Sequence, residues 1–176
     1  MIVVGFLGGE GSHGELALEV ARRAAASGSR VEMVGVAAPD AKGDAMLLEL
    51  AAANVGHAAV VRSGADGLEA ADLDLALRYL PDIRAIVLVA PDPSLLTPAA
   101  AASGWSGAGL VIVAAAGVPL DVAPQAIELQ PPSSDLEGTF AGLVAALAVR
   151  LDAGDEPTAA WEATTHALAV DPIGES

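Results

Sequence analysis

The sequence predicts an α/β domain in which a mainly parallel sheet is buried between layers of helices. Two observations carry this expectation. Near-continuous apolar runs recur at Ile2–Leu7, Val31–Val36, Ala58–Arg62, Ala85–Val89 and Leu110–Ala114, with a weaker, alternating run at Ala126–Leu129. Strands of this kind are apolar on both faces, as a parallel sheet covered on both sides requires. Longer stretches of helical period separate the runs, and such alternation builds a doubly wound domain.

The composition agrees. A chain of 176 residues fits one domain, here 1–176, that can bury roughly 70% of its unfolded surface. Only 3% of the residues are aromatic, so the core must be built from Ala, Val, Leu and Ile. The absence of cysteine excludes disulfides, thiolate metal sites and cysteine nucleophiles. The formal net charge is −15 and Lys42 is the only lysine. Nucleic acid is therefore not an expected partner, because phosphate backbones are held by clustered Lys and Arg. The acidity reads instead as solubility. Met1 to Gly9 is apolar, but no basic residue precedes it and Glu10 ends it early. It reads as a first buried strand rather than a secretory or membrane segment, and a cytoplasmic protein without membrane contact is expected.

Between the strands, Glu15–Ala26 and Lys42–Ala53 read as helices, the second opening at Asp40 as N-cap. A third, Asp72–Leu80, is stopped by Pro81. Thr97 followed by Pro98 has the pattern of an N-cap with proline at the first helical position, predicting a short helix. Ser103 to Gly109 is glycine-rich and reads as a tight loop anchored by the ring of Trp105. Ser134 to about Leu151 is strongly helical, and Ser134 and Glu137 have the spacing of a capping box. Pro157–Ala169 is the last helix, with Trp161 and Leu168 on a core-facing or interface stripe.

The most suggestive site is the loop Gly8-Gly9-Glu10-Gly11-Ser12-His13-Gly14, between a buried strand and a helix. Open α/β sheets bind ligands there, outside the carboxyl ends of strands. Gly8, Gly9, Glu10, Ser12 and His13 are thus candidate ligand contacts, although the stretch also suits a plain strand-to-helix turn. Its spacing is neither the dinucleotide fingerprint nor a P-loop. Asp92, between two prolines after a strand, either faces the same crevice or forms a turn. No metal site is expected, since His57 and His166 have no ligand-like company. No Gly-x-Ser-x-Gly elbow occurs.

Three stretches, in order along the chain, resemble the ribokinase (PfkB) family of sugar and nucleoside kinases. The first is Gly8-Gly9 with the alanine-rich helix through Ala26, Gly28 and Val31. The second is Val34-Gly35-Val36 followed by Asp40, Gly43, Leu47, Leu50 and Val55. The third, Gly138-Thr139-Phe140-Ala141-Gly142-Leu143, resembles the helix after the family's phosphate-binding motif. The resemblance implies a three-layer, ribokinase-like (Rossmann-type) α/β/α sandwich.

It also exposes departures. In the family a Gly-Ala-Gly-Asp run opens that helix: its N–H groups hold the transferring phosphate and its aspartate is the base. Here Asp135-Leu136-Glu137-Gly138 fall on the run, so the base position is Gly138 and two carboxylates replace the glycines. A helix N-terminus attracts phosphate through free N–H groups and its positive dipole end; carboxylates placed there repel it. The family's Asn-x-x-Glu motif has no counterpart, because Asn54 is the only asparagine. The chain is short for the family and leaves no segment for the small β lid. The resemblance with these departures implies a pseudo-kinase with no catalytic residue and no cofactor, which either holds a sugar or nucleotide-like ligand in a crevice at the loop residues, Asp92 and Gly138 or acts through self-association; a homodimer is expected because a lidless sheet with small helices leaves apolar surface to cover. The alternative is a minimal kinase using ATP and Mg²⁺, with Asp135 or Glu137 as base.

Overall fold

The computed structural model describes residues 1–8, 13–64, 67–115, 125–133, 135 and 137–170, with 168–170 described by their backbone alone. Six strands, β1 (Ile2–Leu7), β2 (Glu32–Ala37), β3 (Gly56–Arg62), β4 (Ala85–Val89), β5 (Gly109–Val113) and β6 (Ile127–Leu129), form one sheet in the order β3-β2-β1-β4-β5-β6. Every neighbouring pair is parallel. Six helices accompany them: α1 (His13–Ala26), α2 (Ala41–Ala52), α3 (Ala70–Tyr79), α4 (Leu96–Ser106), α5 (Thr139–Ala153) and α6 (Pro157–Val170). Among the described residues all strands belong to this sheet, and none forms a separate β layer.

The continuous apolar runs are the reason for the arrangement. All five residues of β4 are buried, and alternate residues of each central strand feed two different cores. Val3, Val87 and Val111 pack with Ala17, Val20 and Val144 of α1 and α5. Ile2, Ile86 and Ile112 pack with Leu73, Leu77 and Leu96 of α3 and α4 on the other face. The sandwich therefore has three layers, as expected. Its helices lie close to the sheet because small residues face it. A Cβ at Gly14 would stand 2.7 Å from the Phe6 carbonyl oxygen, and one at Gly5 2.7 Å from Ala17 Cβ.

Asp40 caps α2 as its sequence suggests, accepting a hydrogen bond from the Gly43 N–H at 2.7 Å. Three other local expectations are corrected. The first concerns Thr97, which is not an N-cap: α4 already begins at Leu96, directly continuing a 3₁₀ turn at Pro93–Leu95. Pro98 is tolerated there because the first four N–H groups of a helix have no intrahelical partner to lose.

The second correction is that Ser103–Gly109 is not a tight loop. α4 runs through Gly104 and Trp105 to Ser106 and stops at Gly107, which takes the left-handed conformation (φ 72°) of a helix C-cap. Trp105 is exposed rather than an anchor. The third is that α5 starts at Thr139, not near Ser134, so Glu137 precedes the helix and cannot close a capping box. Ser134 itself lies outside the described residues. Trp161 packs against the core formed by α1 and α5, whereas the side chain of Leu168 lies outside the described residues.

Candidate functional site

The start of α5 is where the sequence resemblance puts the candidate site. Gly138 is its N-cap, in the left-handed conformation (φ 68°), and provides no side-chain cap. That role falls to Asp135. Its Oδ1 accepts from the Phe140 N–H at 3.0 Å and its Oδ2 from the Ala141 N–H at 2.9 Å, while its carbonyl oxygen accepts from the Gly138 N–H at 3.0 Å. Of the four N–H groups that a helix leaves unpaired at its start, one aspartate takes three. Its charge also lies where the helix dipole favours an anion. A sequence scan for the capping-box pattern misses this cap, because the acceptor reaches five and six residues forward.

Beside this helix start lies a cleft of about 720 Å³, bounded by α1, α2, Pro131, Pro132, Ser133, Asp135 and the start of α5. His13, Asp135, Glu137 and Gly138 all line it. His13 and Glu137 are exposed and Asp135 is half-buried. The cations of the cleft are held by the chain's own carboxylates: Lys42 by Glu15 at 2.9 Å, Arg22 by Glu49 at 3.0 Å and Arg23 by Glu19 at 2.7 Å. The guanidinium of Arg23 also lies against the helix start, where a Cβ on Gly138 would come within 2.6 Å of its Nη2.

The other candidates are placed elsewhere. Gly8 is buried at the end of β1, its φ of 106° turning the chain, and a Cβ there would meet Ala38 Cβ at 2.8 Å. Gly9, Glu10 and Ser12 lie outside the described residues. Asp92 does not share the cleft with His13 and Gly138. It borders a second hollow, of about 380 Å³, lined by Gly5, Phe6, Leu68, Val89 and Pro91. This hollow sits at the ends of β1 and β4, where the strand order reverses, the usual ligand position in an open α/β sheet. Asp92 forms a turn there, accepting from the Ser94 N–H at 2.9 Å. Hydrogen bonds from the Ser94 side chain and then its backbone hold the exposed Asp92 carboxyl below its ordinary pKa. Among the described residues no group of three His, Asp or Glu side chains is placed to hold a metal ion. No helix there is long and apolar enough to cross a membrane.

No family model matches the chain, and no curated protein matches it. Solved structures do. A protein named Sa239 superposes with a TM-score of 0.66 over 99% of this chain and 94% of its own, at 13% identity. A protein described as a ribokinase II from E. coli, solved with ATP and Mg²⁺, gives a TM-score of 0.56 over 90% and 82% of the two chains, at 11% identity. The fold is that of the ribokinase-type sugar kinases. A fructokinase from Xylella fastidiosa agrees, with a TM-score of 0.50, 13% identity, and coverage of 94% of this chain and 69% of that one. At these identities the likeness is one of fold. In this chain the start of α5 is filled by Asp135.

Proposed function

We propose that this chain is a ribokinase-like domain that does not transfer phosphate and instead holds a small sugar or nucleotide-like molecule in the cleft between α1, α2 and the start of α5. One observation carries the reading: the Asp135 carboxylate accepts from the Phe140 and Ala141 N–H groups. A terminal phosphoryl group seated at this helix start would have to displace that carboxylate and then face Glu137 as well. Glu137 would add a like charge beside the phosphate, weakened by its own exposure to water. Gly138, at the position the resemblance gives to the base, has no group to remove a proton. The residues present therefore do not suit a nucleotide's terminal phosphate.

The deciding experiment incubates the purified chain with ATP, Mg²⁺ and a panel of sugars and nucleosides. No substrate-dependent ADP release is expected, and a melting temperature raised by members of the panel would mark the ligand. Substrate-dependent ADP release that disappears in Asp135→Asn or Glu137→Gln would overturn the reading. It would establish the second one, a minimal kinase consuming ATP with Mg²⁺. That alternative has one observation in its favour: Glu137 is exposed, lines the cleft and has no capping duty.

A further inference from the structure

One edge of the sheet borders a hollow. β6 pairs with β5 alone, and among the described residues no strand lies beyond it. The Leu129 carbonyl oxygen accepts from the Ala114 N–H at 3.0 Å, so the backbone groups of Leu129 point toward β5. Successive residues of a strand aim these groups to opposite sides, which leaves the N–H and C=O of Glu128 facing away from the sheet. A free donor and acceptor on a sheet edge are what an added strand uses.

Between this edge and α6 the hollow measures about 670 Å³. Ile127, Leu129, Pro157 and Trp161 form its apolar wall. Ile127, Leu129 and Trp161 all pack against the core shared with α1 and α5, yet all three are only half-buried. The core is therefore unfinished along this edge, and it ends there on an indole, a ring that often anchors interfaces. Ile127 and Leu129 face α6, so the side chain of Glu128 between them points to the other face of the sheet. An added strand would alternate in the same way, one set of its side chains entering the hollow and the other lying beside Glu128.

Charge narrows the occupant. Glu128 and Glu156 are the only charged residues lining the hollow. Both are exposed, and among the described residues neither carboxylate is paired with a basic group. The glutamates of the cleft, in contrast, each hold a cation. A second copy of this chain does not fit the edge. Antiparallel pairing of β6 with itself would set Glu128 opposite Glu128, and like charges directly opposite are destabilising. Nor does the chain contain two basic residues spaced two apart, as a strand with one basic face would need.

We propose that the β6 edge takes an extended segment of another protein in which apolar residues alternate with Lys or Arg. Its backbone continues the sheet at Glu128, its apolar side chains cover Ile127, Leu129 and Trp161, and its basic side chains lie toward Glu128 and Glu156. The hollow shares no lining residue with the cleft, so this docking stands or falls independently of the proposed function.

The probe is a fluorescein-labelled peptide, Thr-Lys-Val-Arg-Val-Lys-Thr, titrated with the full chain at physiological ionic strength and followed by anisotropy. Saturable binding is expected, and the same residues reordered as Thr-Lys-Lys-Arg-Val-Val-Thr should bind at least about fivefold more weakly. Glu128→Gln removes an exposed charge and should weaken binding about two- to fivefold. Glu128→Pro also removes the outward N–H while sparing the bonds to β5, and should weaken it at least about tenfold with unchanged far-UV circular dichroism. Asp72→Asn, at an exposed carboxylate of α3, should leave binding unchanged, which separates docking from general attraction to an acidic chain. In a Trp105→Phe background Trp161 is the remaining indole, and the peptide should move its emission to shorter wavelength. No saturable binding, equal affinity for the two peptides, equal weakening by Asp72→Asn and Glu128→Gln, or an emission that does not move would overturn the proposal. So would a self-associating chain that Glu128→Pro makes monomeric, because the edge would then belong to a second copy.

Discussion

Replacing Asp135 by alanine tests the helix start from two sides at once. The substitution removes two charge-assisted hydrogen bonds, at 3.0 and 2.9 Å, from half-buried N–H groups, and removes an anion from the positive end of a 15-residue helix. Losing an N-terminal cap costs about 1–2 kcal/mol, and the loss of a dipole partner falls within the same figure. For a chain of this length that corresponds to a fall in melting temperature of about 2–8 °C. The freed N–H groups then become the anion site that the fold otherwise withholds. Inorganic phosphate or ATP should therefore raise the melting temperature of Asp135→Ala and leave that of the wild type unchanged, in a thermal denaturation series at fixed ionic strength. Asp135→Asn keeps an acceptor without the charge and should fall between the two. An Asp135→Ala protein as stable as wild type, or a wild type that phosphate stabilises as strongly as the variant, would refute the reasoning.

Three further outcomes follow from the same geometry. Gly138→Asp, which restores an acid at the expected base position, should lower stability by about 1–2 kcal/mol because a side chain is forced into the left-handed region and against Arg23; coupled ADP-release assays should show no gain of turnover while Asp135 remains. Asp40→Ala should cost about 1 kcal/mol in urea denaturation, with Asp40→Asn nearly neutral, since the Gly43 N–H then keeps its acceptor. Asp92 titrates below its ordinary value, so its bonds with Ser94 stabilise the folded state at neutral pH and cease to do so as the pH falls through that depressed value; the difference in stability between wild type and Asp92→Asn should shrink to nothing on acidification, as followed by melting curves from pH 7 downward.

The layers were legible in the sequence because burial on both faces leaves a plain trace. β1 and β4 match their apolar runs residue for residue, and even the weak alternating run before Gln130 is a strand. Helix ends were less legible, for local reasons. Asp40 was readable because its acceptor serves a residue three positions on, within the spacing that capping patterns describe. Asp135 was not, because Gly138 bends the chain through the left-handed region and lets the carboxylate reach positions 140 and 141. Gly104 and Gly107 look alike in sequence, yet one is absorbed into α4 and only the other ends it. Which side of the sheet a loop opens to was also hidden. His13 and Asp92 both follow strands that end at the same edge, but α1 lies on one face and α4 on the other, and the two residues border different hollows.

A helix start that receives a transferable phosphate must stay unfilled between turnovers, its N–H groups held by water alone. That arrangement is a standing loss of stability which catalysis requires and packing does not. In this chain Asp135 removes the loss, and the Arg23 guanidinium occupies the space that a side chain at position 138 would need. On the proposed reading, the carboxylate that satisfies the helix also excludes phosphate, so stability and phosphate affinity are opposed at this one position. Across Asp135, Asp135→Asn and Asp135→Ala, ligand-free stability should therefore fall in the order in which phosphate affinity rises. A variant that gained affinity at no cost in stability would show that the anion binds somewhere other than the start of α5.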